Sequence, residues 1–246
     1  MAHRMLALFL SVIVCVGLAG CGGGGGGGGP TTGSPVITPG TYTGQEVWTS
    51  GSLSGQSFSL VAIAASGNRL AAAGNPGPDG LYTGFAVGVT PDSSGRFTFS
   101  VAELNLGSVI FPAATVSGRN VPTAIPQVTG TMTQQLGVGS CRWSLTLQPG
   151  ANNPFAGWYV GSMSGAVISP ITGAIGPNGT SIAVQGGQGR WAACSIGTTN
   201  ATTGVMAFTH TNPGVTVTGT AHSDATASGT YNFTGTGSGA WSATRQ

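Results

Sequence analysis

Chemistry in this chain would have to come from very few side chains. Beyond residue 40 the only histidines are His210 and His222, and the nearest acid in sequence is Asp224. A nucleophilic relay needs a base within hydrogen-bond reach of a hydroxyl or thiol, and an acid to orient that base. His210, His222 and Asp224 are thus the one polar cluster from which a hydrolase could be assembled. No Gly-x-Ser-x-Gly elbow accompanies them. Gly51-Ser-Leu-Ser-Gly55 and Gly161-Ser-Met-Ser-Gly165 put Leu53 and Met163 where the nucleophile belongs. His222 continues the face of Thr216, Thr218 and Thr220, as a solvated strand histidine would. The acids Glu46, Asp79, Asp92, Glu103 and Asp224 offer no evident pair for glycoside chemistry. Asp79 and Asp92 each follow a proline in a turn, where Asp is favoured on local grounds. No CxxC or HxxxH spacing suggests a metal. The expectation is a protein that is not an enzyme and carries no cofactor or metal.

The cysteines are more informative. Of four, Cys15 and Cys21 lie near the start, leaving Cys141 and Cys194 in the body. In an oxidising compartment these two are expected to form a disulfide. It would close a loop of about 54 residues, worth roughly 4 kcal/mol on the chain-entropy view. The other reading is two separately buried thiols that pack as small hydrophobes.

The compartment is read from the first residues. His3 and Arg4 precede an apolar run, Met5 to Leu18, with the shape of a secretory signal. Fourteen helical residues reach about 21 Å, short of a hydrocarbon core of about 30 Å. The run ends at Leu18-Ala19-Gly20-Cys21, which resembles the lipobox of bacterial lipoproteins. That resemblance implies cleavage between Gly20 and Cys21, with residues 1–20 removed. It also implies a diacylglyceryl group on the Cys21 sulfur and acylation of the new amine, the modification that palmitate labelling detects. Two or more chains hold firmly, at about 0.8 kcal/mol per buried CH₂. Gly22 rather than Asp follows the cysteine, which by the enterobacterial sorting pattern favours the outer membrane. The implied location is the bacterial cell envelope, on its periplasmic face or at the surface. The implied partners are the membrane, through the anchor, and a protein or small molecule of unknown identity.

Residues 21–40 read as the lipidated cysteine followed by a flexible linker. Gly22 to Gly29 is an unbroken glycine run, extended by Pro30, Pro35, Pro39 and Gly40. Such residues bring maximal backbone entropy and almost no apolar surface. A spacer of this length has a reach of roughly 25 Å.

From Thr41 onward the hydrophobic period is two. Cys141, Trp143, Leu145 and Leu147 alternate with Arg142, Ser144 and Thr146; Phe85, Val87 and Val89 share one face; Val215 and Val217 oppose a run of Thr. Alternation of this kind marks half-buried antiparallel strands. Turn clusters such as Ser66-Gly67-Asn68, Asp92-Ser-Ser-Gly95 and Asn212-Pro-Gly214 recur between them. The fold class is therefore all-β, an antiparallel meander barrel or sandwich. A weak internal repeat divides it. Gly40-Thr-Tyr-Thr-Gly44 resembles Gly157-Trp-Tyr-Val-Gly161, Val128-Thr-Gly-Thr131 matches Val217-Thr-Gly-Thr220, and Arg142-Trp-Ser-Leu-Thr146 resembles Ala240-Trp-Ser-Ala-Thr244. Two tandem β modules are expected, residues 41–149 and 155–246, joined at Pro149 to Pro154, with one continuous sheet as the alternative. The texture of Gly-x-Tyr-x-Gly strands is similar to the barrels of transferrin-binding lipoproteins, and no residue role follows from that.

Composition narrows function further. Only 5% of residues are charged, and the seven basic ones are scattered arginines. Counterion release at nucleic acid needs clustered cations, so that partner is excluded. A membrane-spanning barrel fits poorly, because the strands are short and interrupted and lack aromatic girdles. Three readings remain. The first is a non-catalytic lipoprotein that binds a partner or builds the envelope surface. The second is a carrier of a small apolar ligand in a lipocalin-like barrel, its cavity lined by Phe85, Phe97, Phe99 and Trp143. The third is an enzyme built on His210, His222 and Asp224.

Overall fold

The computed structural model describes residues 36–74, 82–105, 110–121, 123–209 and 214–246. The signal, Gly20, the lipidation site Cys21 and the glycine run lie outside the described residues, as do Asp79 and His210. The described chain is all-β with no helix in it.

Ten strands form the N-terminal half: β1 (Gly40–Trp48), β2 (Ser57–Ala65), β3 (Arg69–Gly74), β4 (Thr83–Gly88), β5 (Arg96–Val101), β6 (Leu104–Asn105), β7 (Ile110–Phe111), β8 (Ala114–Val121), β9 (Gln127–Gln134) and β10 (Gly139–Leu147). Eight form the C-terminal half: β11 (Gly157–Gly165), β12 (Ser169–Ile175), β13 (Thr180–Gln185), β14 (Ala192–Thr199), β15 (Val205–Thr209), β16 (Val215–Ala221), β17 (Thr226–Phe233) and β18 (Gly237–Arg245). Apart from the small β6–β7 pair, all of them belong to one 16-stranded antiparallel sheet.

Each strand of the C-terminal half pairs with its neighbours in sequence, β18 returns to β11, and β13 pairs with β14. The result is a closed eight-stranded meander barrel. Closure leaves no edge strand in this half, the usual reason an up-and-down sheet curls on itself. The N-terminal half repeats the same order, with β10 returning to β1, but β4 and β5 do not pair.

The registers of the two halves correspond residue by residue. Tyr42 pairs in succession through Ala62 and Ala72 to Phe85; Tyr159 pairs through Gly173 and Ala183 to Ser195. On the other side Trp143 faces Gly130 and then Gly118, and Trp241 faces Gly229 and then Gly219. The repeat read from Gly-x-Tyr-x-Gly and Trp-Ser-x-Thr is therefore in register. The match of Val128–Thr131 to Val217–Thr220 is one strand out, since Gly130 corresponds to Gly229 and Gly219 to Gly118. Similar Val-Thr-Gly-Thr strings arise on neighbouring strands because each crosses a tryptophan at a glycine.

The gap between β4 and β5 is bridged by the C-terminal half. Thr83 and Gly84 pair with Ala193 and Ala192. Gly189 N–H donates to Ala86 O at 2.8 Å, Ala102 N–H donates to Gly189 O at 2.8 Å, and Trp191 N–H donates to Ala102 O at 3.0 Å. The edge of β4 that β5 would otherwise take is thus occupied by the connection into β14, and Trp191 enters the N-terminal core.

Three apolar clusters result. The inner faces of the N-terminal half gather Tyr42, Trp48, Phe85, Phe97, Trp143 and Trp191. Between the halves, the flat outer face made by Ile63, Ala71, Ala73 and Ala86 meets Trp158, Ile182, Val184 and Cys194. The inner faces of the C-terminal barrel gather Tyr159, Met163, Met206, Tyr231 and Trp241. The joint at Pro149 to Pro154 is tied down by buried Asn153, whose Nδ2 donates to Thr199 O at 3.0 Å and whose Oδ1 accepts from Phe155 N–H at 2.9 Å.

Candidate functional site

Among the described residues, the side chains that could bear chemistry are locally employed. Asp224 is exposed and closes its own turn, accepting from Thr226 Oγ1 at 2.6 Å and Thr226 N–H at 3.0 Å; these bonds hold its carboxyl below the usual carboxylate range. His222 Nε2 contacts Ser228 Oγ at 3.2 Å on the exposed face. Asp92 does the same work as Asp224 in the turn before β5, with bonds from Ser94 and Arg96 N–H.

Cys141 and Cys194 are both free and both buried. The expected disulfide is not formed. Their strands lie in different halves, Cys141 facing the N-terminal core and Cys194 facing the seam between halves. Burial pushes the Cys141 thiol up to about 12, with the neighbouring Glu46 adding to the rise, and burial alone raises Cys194. Neither is a poised nucleophile. Glu46 itself is raised by burial; its Oε1 accepts from Trp48 Nε1 at 3.2 Å, and Oε2 lies 4.0 Å from Cys141 Sγ. Among the described residues no cluster of His, Cys, Asp and Glu could hold a metal.

The feature that remains is a cavity. It lies in the C-terminal barrel and has a volume of about 360 Å³, within the range of ligand pockets. Tyr159, Met163, Ile171, Met206, Phe208 and Trp241 line its wall, with Ala183 and Ser195 on the side of β13 and β14. Among the described residues, no Asp, Glu, Lys, Arg or His lines it. At one end stand Ile175, Ala227 and Ala243, near which Phe155 packs against the core. At the other stand Val167, Gln185, Val215 and Thr236.

Sequence reasoning placed such a cavity in the wrong half. Phe85, Phe97, Phe99 and Trp143 do face inward, but they pack on one another. Ring centroids are 5.4 Å apart for Phe85–Phe99, 6.2 Å for Phe97–Phe99 and 6.5 Å for Phe97–Trp143. Trp191 then stands edge-on to Phe85. The register explains why the other barrel stays hollow. Phe85 is replaced by Ser195 and Phe97 by Met206, while Leu70 and Val87 are replaced by Ser181 and Gly197. Small side chains on β13 and β14 leave the volume that the aromatics fill in the first half. The signal was present in the sequence as Ser, Ala and Gly at inward positions, but only the pairing shows which positions those are.

The rim is held by Tyr231. Its hydroxyl accepts from Val167 N–H at 2.7 Å and lies 3.0 Å from Ser164 O and 3.1 Å from Val167 O, one of which takes its proton. The turn so fixed presents Ile168 almost fully to solvent, 89% exposed, beside the lining residue Val167.

No protein-family model and no curated protein matches the chain. Among solved structures the chain is similar to a protein described as an outer membrane protein of Bacteroides fragilis, at 14% identity over 85% of this chain and 97% of that one, with a TM-score of 0.31. It is similar to a mutant of transferrin-binding protein B from Haemophilus parasuis at 9% identity, covering 88% and 78% of the two chains, TM-score 0.26. It is also similar to kievitone hydratase from Nectria haematococca at 10% identity, covering 88% and 98%, TM-score 0.22.

Proposed function

We propose that this protein is a non-catalytic lipoprotein of the bacterial envelope whose C-terminal barrel binds a small apolar ligand. The cavity carries the reading: a closed barrel with about 360 Å³ of interior space, and no charged side chain among its described lining residues, suits a hydrocarbon ligand. Of the readings open from sequence, the carrier gains most from this. Catalysis gains nothing, because His222 and Asp224 are engaged in local contacts and both body cysteines are buried thiols. The lipobox-like Leu18-Ala19-Gly20-Cys21 supports fastening to a membrane, with the outer membrane favoured by Gly22.

Two experiments test the two parts. The mature chain with Cys21→Ser, secreted in soluble form, is titrated with an environment-sensitive naphthylamine dye. Saturable binding with a blue-shifted emission is expected, and no enhancement would overturn the carrier reading. For the anchor, radiolabelled palmitate is followed into the wild-type chain and into Cys21→Ser; label persisting in the variant would overturn attachment at that sulfur.

A further inference from the structure

Resting on that reading of the cavity, we infer that its ligand is a single-chain lipid, held tail inward with its head at the rim formed by Val167, Gln185 and Thr236. Three observations lead there. The first is shape. The lining on β17 runs from Ala227 to Phe233. Six residues of strand rise about 20 Å, or about 15 Å along the axis of a barrel whose strands tilt by about 40°. A volume of 360 Å³ extended over that depth suits a long narrow ligand.

The second is polarity along the axis. The wall is dominated by Ile175, Met163, Met206 and Trp241, with the Ser195 hydroxyl on β14, while Gln185 and Thr236 add hydrogen-bonding side chains at the rim. The Tyr159 hydroxyl, deep in the barrel, is already spent on Phe155 O at 2.7 Å. A ligand polar at both ends would leave its inner polar group unsatisfied unless that group reached Ser195, at a cost of about 1–3 kcal/mol. Among the described residues no charged side chain stands in the lining, so an ionised group finds no partner among them and is better left in water.

The third is the rim itself. Tyr231 fixes the Ser164–Val167 turn with its hydroxyl, and Ile168 projects from that turn as an exposed apolar tip. An entering tail finds apolar surface at Ile168 and Val167 before it reaches the interior.

The test uses the soluble Cys21→Ser chain loaded with the naphthylamine dye. Competitors are a series of neutral monoacylglycerols of increasing chain length and a set of rigid polycyclic hydrocarbons. The monoacylglycerols should displace the dye with affinity rising about fourfold per methylene until the cavity is full, then levelling. Ser195→Phe, which copies Phe85 of the other half, and the milder Ala183→Leu should each weaken displacement at least tenfold and shorten the length at which affinity levels. Displacement by the polycyclic compounds with no dependence on acyl length would overturn the single-chain inference and leave the cavity as a ligand site. Dye binding unchanged in both variants would place the dye elsewhere and overturn both.

Discussion

The Trp191 indole meets the Phe85 ring edge-on, centroids 5.6 Å apart and planes at 81°. The two residues belong to different halves of the chain. Trp191 arrives on the connection into β14, and its neighbours Gly189 and Ala192 bond to β4. The N-terminal half therefore borrows part of its core from the C-terminal half. Removing the indole should leave a cavity and cost about 3–5 kcal/mol. Trp191→Ala is expected to unfold earlier in urea by that amount. A loss under 1 kcal/mol would mean that the two halves do not depend on this contact.

The glycines opposite the repeat tryptophans should be nearly irreplaceable. A Cβ on Gly130 would come within 2.5 Å of Trp143 Cζ2, and one on Gly229 within 2.7 Å of Trp241 Nε1. Overpacking of this sort typically costs about 1–3 kcal/mol. Gly88 has open space around its missing Cβ, so Gly88→Ala is the control and should stay within about 0.5 kcal/mol of wild type. Chemical denaturation of the three alanine variants measures the contrast.

Glu46 makes stability depend on pH in a stated direction. Burial raises its folded pKa above the unfolded value, so the folded state holds its proton more tightly. Its contribution is favourable below the unfolded pKa and declines as pH rises through the folded one. Glu46→Gln should remove this decline, stabilising the protein near neutral pH with little change near pH 4. Melting temperatures of both proteins across that range read the difference, and an equal slope in both would refute it.

Thiol chemistry should follow the buried, unbonded cysteines. Mature Cys21→Ser protein prepared without reductant should release two thiols to an alkylating reagent on unfolding and almost none while folded. Burial raises both thiol pKa values, leaving little thiolate to react. Recovery of no free thiol after unfolding would restore the disulfide expected from the compartment.

Much of this architecture was legible in the residues. Strict alternation at Cys141, Trp143 and Leu145 put those side chains in the core, where they lie. A period of two can be satisfied only by strands with one buried face, so the all-β class and the inward residues follow from local pattern. The correspondence of Tyr42 with Tyr159 and Trp143 with Trp241 could be read as well, because both halves carry a Tyr on their first strand and a Trp on their last.

Which barrel would be hollow could not be read in this way. Alternation says which side chains share a face; it is silent on what stands across the interior from them. Phe85 and Ser195 occupy the same place in their halves only once the strands are paired, and Trp191 fills the N-terminal core from a distant part of the chain. Likewise Cys141 and Cys194 each look like half of a bond until the sheet places them in separate cores. Faces are a property of neighbours in sequence, set by the geometry of one strand. Volumes and partners across an interior are long-range, set by closure of the sheet, and only the tertiary structure decided them.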